Sequence, residues 1–356
     1  MHDRPTSIGR RSLIILAGLA GILWVSGALG FWMGYQAQKT AARMQSYEWI
    51  HNARGLKKIS DSPDPGPLFK FAVFGDIQRG TAQLPRLRRV IEDEAPMAFV
   101  VQTGDAVSHP DAGHYRLFLD AFARAQFALP FLVVPGNHDV DHGSETLFEQ
   151  YFGPRQVWFE YGRALFILAD NALGPLDEAQ YHWLAKVLAD HRQATEHIFL
   201  FMHLPPINWE GDGGIPVEHL YARLFAILKS YRVDYVFCGN WHGYHREERD
   251  GTVFVVNGRG GDYDHDARLV PCYSIVVEVR RDAVLDRVIE LAPRISIVLQ
   301  SEFRDLFVAH IGARAMQNPG LTAALLLLLG ASGVVLSMRV KKRGPPDRRD
   351  ITKQSP

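Results

Sequence analysis

Two uncharged apolar segments lie at opposite ends of the chain, and a sequence of mixed polarity separates them. No charged residue occurs from Ser12 to Gln38, and residues 13–33 are almost wholly apolar. Residues 321–338 form a second uncharged stretch that contains a run of leucines at 325–329. About 20 apolar residues are enough for a helix that crosses a bilayer. The pattern therefore predicts transmembrane helices over residues 12–34 and 320–338.

Basic residues flank both segments on the sides that face the chain ends. Arg4, Arg10 and Arg11 precede the first, and four basic residues follow the second: Arg339, Lys341, Lys342 and Arg343. Basic flanks stay on the cytoplasmic side of a membrane. We expect two spans of an inner or plasma membrane, with cytoplasmic tails at 1–11 and 339–356. The middle of the chain then faces the periplasm or the cell exterior.

The first segment has a second interpretation. Residues 10–14 resemble a twin-arginine export signal, and Ser26-Gly27-Ala28 is a weak candidate for a cleavage site. The segment would then be a signal peptide that is removed. Its apolar stretch is long for a signal peptide, which favours an uncleaved anchor.

Between the ends, short apolar runs alternate with segments of helical period. A polar linker over 35–68 ends in a Pro- and Asp-rich breaker cluster at 61–67. Six apolar runs indicate buried strands, at 69–74, 98–102, 131–134, 165–169, 198–202 and 235–238. Helical patterns separate them at 84–94, 115–126, 178–190 and 217–228, and strands at 253–256 and 274–279 follow without helices. The alternation predicts an α/β domain over 69–295, with a mostly parallel sheet and antiparallel strands added late.

After this domain, residues 296–319 have the pattern of an amphipathic linker helix, which either lies on the membrane surface or packs on the domain. Lys+Arg and Asp+Glu both number 39, so the net charge is zero and no nucleic-acid partner is expected. The two cysteines, Cys238 and Cys272, are too few for a disulfide scaffold or a Cys-rich zinc site.

Polar side chains with metal-ligand chemistry follow five of the predicted strands. They are Asp76, Asp105, Asn137 with His138, His203, and Asn240 with His242. Because the carboxyl ends of strands in an α/β sheet form the ligand crevice, these residues are expected to converge. Oxygen and imidazole donors without thiolate favour Mn, Fe or Zn ions over a structural zinc. Asp170-Asn171 also ends a strand, and we interpret it as a turn.

The motifs resemble those of the calcineurin-like metallophosphoesterase superfamily, and they occur in that family's order. They are Gly75-Asp76-Ile77-Gln78, Gly104-Asp105, Gly136-Asn137-His138-Asp139, Met202-His203-Leu204-Pro205 and the block from Gly239 to Arg246. The resemblance implies a four-layer sandwich of two mixed sheets flanked by helices. It also implies two divalent metal ions and a phosphoester substrate.

By the same resemblance, Asp105 would bridge both ions. Asp76, Gln78 and His242 would complete one site, and Asn137, His203 and Asn240 the other. His138 would be the catalytic proton donor, held by Asp139. Substrate contacts are expected from Trp209 in the loop after His203, and from Tyr244 and Arg246, although Arg246 also fits a structural ion pair.

Two positions depart from the family pattern, because Gln78 and Asn240 stand where histidine is usual. An amide oxygen binds such ions more weakly than an imidazole nitrogen. Two functions remain open. The first is a membrane-anchored phosphoesterase that hydrolyses a phosphomonoester or phosphodiester by metal-activated water, where double anchoring favours a lipid-linked or envelope substrate. The alternative is a catalytically reduced protein of the same fold that acts as a binding or scaffold component.

Overall fold

The computed structural model describes residues 10–46, 50–141, 143, 145–207, 218–261 and 271–342. It divides into two compact units, one of Met1–Gln36 with Leu306–Pro356 and one of Ala37–Asp305.

The described strands are β1 (Phe69–Phe74), β2 (Val100–Gln102), β3 (Phe131–Val133), β4 (Val157–Tyr161), β5 (Ala164–Leu168), β6 (His197–Phe201), β7 (Tyr235–Cys238), β8 (Tyr244–Arg249), β9 (Thr252–Asn257), β10 (Cys272–Arg280) and β11 (Ala283–Leu291). The α-helices are α1 (Arg10–Ser46), α2 (Asn52–Asp61), α3 (Leu84–Glu92), α4 (Ala112–Ala125), α5 (Glu145–Phe152), α6 (Glu178–His191), α7 (Ala222–Tyr231), α8 (Ile295–Arg304), α9 (Ala313–Gln317) and α10 (Pro319–Lys342). Short 3-10 turns occur at Thr81–Gln83 and Glu218–Tyr221, and Asp305–Gly312 is π-helical.

The strands form two mixed sheets. The first has the order β11-β10-β1-β2-β3, in which β1, β2 and β3 run parallel and β10 and β11 are antiparallel. The second has the order β4-β5-β6-β7-β9-β8, with a parallel centre and antiparallel strands β4 and β8 at its edges. The predicted fold class, two mixed sheets flanked by helices, is confirmed.

Phenylalanine rings fill the space between the sheets. Phe71 of the first sheet is fully buried, and its ring centroid lies 5.4 Å from Phe166 and 5.2 Å from Phe199 of the second. Both contacts are edge-to-face, the geometry that aromatic pairs prefer. The outer face of the first sheet is covered by α3, α4 and α5, and that of the second by α6 and α7. Four layers result.

Four elements were not predicted from the sequence: β4, α5, β8 and β11. The edge strands β8 and β11 carry many charged residues and are only partly buried, so they lack the apolar run that marks the central strands. One expectation about direction was wrong, since β9 pairs parallel to β7. The antiparallel strand of this pair is β8, which lies beyond β9 at the sheet edge.

Both predicted linkers contain helices that pack on the domain. Within 35–68, the buried Asn52 of α2 donates to the carbonyl oxygen of Val133 and accepts from its amide, at 2.8 Å each. The Asn52 side chain thus makes the two hydrogen bonds with Val133 that a neighbouring strand would make. Its amide is buried, but both its donor and its acceptor have partners. Within 296–319, α8 belongs to the same compact unit as the sheets, whereas the segment from Leu306 onward belongs to the other.

The unit of Met1–Gln36 and Leu306–Pro356 contains most of Arg11–Thr40 and all of Pro319–Met338, two helices that are long and apolar enough to cross a membrane. Its helices approach closely at small residues. A Cβ atom on Gly34 would lie 2.7 Å from the Cα of Gly312, and one on Gly27 would lie 2.8 Å from Cδ2 of Leu326. Only glycine allows this backbone contact, which is typical of helix pairs in membranes.

His197 joins the two sheets at the end of β6 away from the carboxyl termini of the parallel strands. Its Nε2–H donates to the carbonyl oxygen of Arg280 at 2.9 Å, and Nδ1 lies 3.3 Å from Asp234. The hydrogen bond to Asp234 raises the pKa of His197, against the effect of burial. The charged ring is therefore favoured in the folded state.

A raised histidine pKa gives stability that is complete below the unfolded pKa and is lost as pH rises through the folded one. We expect His197→Gln to lower the free energy of unfolding by about 1.5–3 kcal/mol in acid, where the ring is charged. The gap from wild type should narrow between about pH 5.5 and about pH 9 in urea unfolding followed by tryptophan fluorescence. A gap of equal size at both pH values would contradict a role for the charged form.

Candidate metal centre

The predicted ligands meet where the two sheets present the carboxyl ends of their parallel strands. Asp76 follows β1, Asp105 follows β2 and His203 follows β6. Their ligand atoms lie within 4.8 Å of one another, and all three side chains are buried. Residues from distant parts of the chain are thus brought to one point by the alignment of strand ends.

The backbone at this point is held in an uncommon conformation. Asp76, Gln78, Asp105 and Asn240 have φ angles of 55°, 40°, 57° and 64°, in the left-handed region. For residues with a Cβ this conformation costs roughly 1–2 kcal/mol each. Backbone hydrogen bonds between the two loops maintain it, including Asp76 N to Gly104 O and Ile77 N to Asp105 O, both 2.9 Å. Such strain is concentrated at functional sites.

Gly104 makes the close approach of the loops possible. Its φ is +96°, and a Cβ atom there would lie 2.3 Å from Nδ1 of His203. A side chain at this position would both strain the backbone and displace the imidazole. The glycine before Asp105 is therefore required by the position of His203, which is distant along the chain.

Asp76 provides the test of whether the site fits a cation. Its side chain is fully buried, and Oδ2 accepts a hydrogen bond from the Asn240 amide at 3.1 Å. Its Oδ1 is buried without a hydrogen bond, with Nε2 of His242 3.5 Å away. Burial raises the pKa of this carboxyl group. A buried carboxylate oxygen without a donor is costly, and a divalent cation would satisfy it.

The two ring nitrogens of His203 have different surroundings, since one contacts the backbone and the other faces the candidate metal centre. Nδ1 lies 2.8 Å from the carbonyl oxygen of Thr103, and because a carbonyl only accepts, Nδ1 carries the proton. Nε2 faces two acceptors, Oδ1 of Asn137 at 2.8 Å and Oδ1 of Asp105 at 3.4 Å. Burial alone would lower the pKa of His203, but the charge and hydrogen bond of Asp105, the charge of Asp76 and the Thr103 carbonyl together outweigh it and raise the pKa to about 10. Nδ1–H held by a carbonyl is the usual arrangement of a metal-binding histidine.

Asp105 lies at the centre of the polar contacts. Its Oδ1 accepts from the His138 amide and its Oδ2 from Nε2 of Gln78, both at 2.8 Å. Burial would raise the pKa of Asp105, but the charges of His203 and His138 and their hydrogen bonds bring the pKa below its ordinary value. Asp105 is thus anionic. Gln78 belongs to the same cluster because its side-chain amide donates to this carboxylate.

The expected relation between His138 and Asp139 was wrong in its contacts. Nδ1 of His138 lies 3.0 Å from the carbonyl oxygen of Ser108, which therefore orients the ring. Asp139 is fully buried, and its two oxygens accept from the amides of Val107 and Gly136 at 2.9 Å each. Burial raises the pKa of Asp139 to about 8. Asp139 fixes the loops around the centre and does not hold the imidazole.

The three predicted substrate contacts have different placements. Arg246 donates to both carboxylate oxygens of Asp286 on β11, from Nε at 2.9 Å and from Nη2 at 3.0 Å. This is the structural ion pair, and it links the two sheets. Tyr244 is half-buried against the core between the sheets, with its ring 6.1 Å from that of Tyr273. Trp209 lies outside the described residues.

Two residues that support the centre were not identified from the sequence. Oδ1 of Asn171 accepts from the amides of His203 and Leu204, at 2.8 and 3.1 Å, so this residue is more than a turn. The buried Arg259 donates to the carbonyl oxygen of His242 at 2.9 Å. The position of Asn171 directly after β5 was the available signal for the first. Nothing in the sequence pattern marked the second.

Comparison with known proteins agrees with this arrangement. Residues 69–244 match the family model described as calcineurin-like phosphoesterase. A probable glycerophosphodiester phosphodiesterase, GpdQ, of Arcobacter nitrofigilis is 24% identical over 215 residues, which cover 54% of this chain and 69% of that protein. Purple acid phosphatase 1 of Ipomoea batatas is 24% identical over 225 residues, covering 55% of this chain and 48% of the relative.

Among solved structures, purple acid phosphatase PPD1 from yellow lupin (Lupinus luteus) seeds matches with a TM-score of 0.51 and 15% identity. The match covers 67% of this chain and 56% of that one, so it shows a shared fold. The chain thus spans about half the length of these purple acid phosphatases. The order of the motifs, the two mixed sheets and the family match lead to one assignment: through residues 69–244, this chain belongs to the calcineurin-like metallophosphoesterase superfamily.

Proposed function

We propose that the protein is a membrane-anchored phosphoesterase with two divalent metal ions, which hydrolyses a phosphomonoester or phosphodiester. The observation that carries the proposal is the buried group of Asp76, Asp105 and His203, whose ligand atoms lie within 4.8 Å. In this group, Oδ1 of Asp76 is buried without a hydrogen bond. Buried charges of this kind persist in proteins when a cation or an ion pair compensates them.

The proposed ligand sets are those that the family resemblance implies, and the distances around Asp105 are consistent with part of them. Asp105 would contact both ions, since its two oxygens face different neighbours. Asp76, Gln78 and His242 would hold one ion. His203 and Asn137, whose Nε2 and Oδ1 atoms are 2.8 Å apart, would hold the other together with Asn240. The metals are Mn, Fe or Zn by the chemistry of these donors.

Divalent ions held by these residues would supply charge neutralisation for a phosphoryl group and activation of water for hydrolysis. The residues of the chain supply orientation and protons. His138 is exposed, and its Nδ1 is held by the Ser108 carbonyl, so Nε2 is the nitrogen that can reach substrate. A charged imidazole there would donate its proton to the leaving oxygen.

The substrate class is proposed from two observations. The Arcobacter nitrofigilis relative is named for glycerophosphodiester hydrolysis, and the other relatives for acid phosphatase activity. The two apolar helices at the chain ends would hold the centre near a bilayer. Together these favour a lipid-linked or envelope phosphoester, tested as both monoester and diester. In the proposed topology, the domain faces the periplasm or cell exterior and both termini are cytoplasmic.

The second candidate function is a binding or scaffold component with reduced activity. It is favoured by Gln78 and Asn240, which replace imidazoles at two proposed ligand positions. Of these, Gln78 donates a hydrogen bond to Oδ2 of Asp105, a contact that competes with metal binding by that oxygen. The experiments below distinguish the two functions, since a scaffold would bind metal without turnover.

Removing the bridging carboxylate should abolish activity. We expect Asp105→Asn to lower hydrolysis of p-nitrophenyl phosphate and bis-p-nitrophenyl phosphate by about 100-fold or more, because charge stabilisation at the phosphoryl group is lost. The assay is release of p-nitrophenol with added Mn²⁺. The exposed Asp190→Asn is the matched control and should keep full activity. Metal binding without turnover of any phosphoester by the wild type would contradict the enzyme and support the scaffold.

Removing the buried carboxylate of Asp76 should raise the stability of the metal-free protein and weaken its binding of metal. The raised pKa of Asp76 means that its ionised form destabilises the metal-free fold at neutral pH, so Asp76→Asn should raise the unfolding temperature in EDTA. Mn²⁺ should then raise the unfolding temperature of the wild type more than that of the variant, because it stabilises by binding the folded state. Differential scanning fluorimetry measures both shifts. Equal Mn²⁺ shifts would exclude Asp76 as a ligand.

Reporter fusions test the topology. Green fluorescent protein fused after Pro356 should fluoresce, and alkaline phosphatase at the same position should be inactive, because basic flanks keep the tail in the cytoplasm. A fusion within the domain, in a surface loop, should give the opposite pair of results. An exported carboxyl terminus would overturn the two-span proposal.

A further inference from the structure

One face of helix α8 packs on the domain. On this face the hydroxyl of Ser301 accepts a hydrogen bond from the Ala82 amide at 3.3 Å. Arg304 is buried on the same face and forms an ion pair with Asp120 of α4. These contacts fix the orientation of the helix, and so they determine which side chains face outward.

The outward face of α8 carries a line of three large apolar side chains, beside the exposed Glu302, whose carboxylate lies 3.8 Å from Arg79. Ile295, Leu299 and Phe303 are 63%, 65% and 45% exposed, and their spacing of four residues places them in one line. A helix that packs only on its own domain would carry polar residues there. A line of large exposed apolar side chains marks a surface that something else covers.

A cationic cleft borders this line. It has a volume of about 240 Å³ and lies between α3, α4 and α8, with these lining residues: Thr81, Ala82, Pro85, Arg86, Ala121, Arg124, Ile297, Gln300 and Arg304. Gln300 is a neighbour of Phe303 on the helix surface, so the cleft and the apolar line adjoin. No acidic side chain is among the lining residues that the structure describes.

The charge of the cleft is only partly compensated. Asp120 on α4 accepts from both Arg124 and Arg304, two arginines that line the cleft. Arg86 donates to Oε1 of Gln83 and to the Ala292 carbonyl oxygen, which are neutral partners. Burial and then the nearby charge of Arg294 lower the pKa of Arg86, so a further guanidinium lies close to the cleft. The surface has a net positive charge that an anion would complement.

We propose that α8 and the adjoining cleft form a docking surface for a bilayer that contains anionic phospholipids. Ile295, Leu299 and Phe303 enter the boundary between headgroups and acyl chains, and Arg86 and Arg124 bind lipid phosphate. An apolar line edged by arginine is the arrangement that holds a helix in the plane of a membrane interface. The chain after α8 continues into Pro319–Met338, a helix apolar enough to cross a membrane. The docking does not depend on phosphoester hydrolysis.

The test uses the full-length protein in nanodiscs of phosphatidylcholine, with or without phosphatidylglycerol. A nitroxide spin label is attached at Leu299→Cys, and a control label at the exposed Leu285→Cys on β11. The native Cys238 and Cys272 are buried, so the label reacts at the new cysteine. Collisions with oxygen report contact with lipid, and collisions with a water-soluble nickel complex report contact with water.

With phosphatidylglycerol, the label at 299 should show high oxygen and low nickel accessibility, while the label at 285 stays in water. Arg86→Gln with Arg124→Gln should return the label at 299 toward water, since each arginine near an anionic surface changes the docked population by roughly fivefold. Arg223→Gln, which removes an exposed arginine elsewhere, should have no effect.

Two results would overturn the docking, and a third would overturn its dependence on anionic lipid. High nickel accessibility at 299 in phosphatidylglycerol nanodiscs would show that the helix faces water. Low accessibility to both reagents would show that protein covers it. Equal lipid contact with and without phosphatidylglycerol would overturn the role of Arg86 and Arg124 in binding lipid phosphate.

Discussion

The central constraint on this protein is that its loops hold two carboxylates and an imidazole together out of water. Asp76, Asp105 and His203 are fully buried or nearly so, within 4.8 Å of one another. Two anions at this distance repel, and burial strengthens that repulsion. The imidazolium of His203 offsets it without a metal, as its raised pKa indicates. A divalent cation would take over that charge, and the proton on Nε2 would then leave.

Most of the unusual local structure serves this one group. Left-handed backbone at Asp76 and Asp105 turns each carboxylate inward directly after its strand. Gly104 leaves room for the imidazole, and Asn171 holds the backbone of His203 from the neighbouring strand end. The left-handed backbone is energetically costly, and a glycine or an asparagine after a strand indicates little by itself. Together, at the aligned strand ends of the two sheets, these features hold the three side chains in place.

The central strands, and the convergence of Asp76, Asp105 and His203 after them, could be predicted from the sequence, because both depend on local patterns. An apolar run followed by a glycine and a carboxylate marks a strand end wherever it occurs. Contacts across the chain could not be derived in this way. The ion pair of Arg246 with Asp286, the Ser108 carbonyl that orients His138, and the role of Arg259 all join segments whose spacing carries no signal. Strands β8 and β11 lie at sheet edges and are only partly buried. Their sequences are therefore polar and lack the apolar run that marks a central strand.

The close contact of Gly34 with Gly312 bears on how the chain is assembled during synthesis. Gly27 and Gly34 precede the two-sheet domain in the chain, and their partners Leu326 and Gly312 follow it. This unit can therefore complete its packing only after the whole domain between its halves has been translated. The domain has time to fold first, and the arrival of α10 then closes the loop.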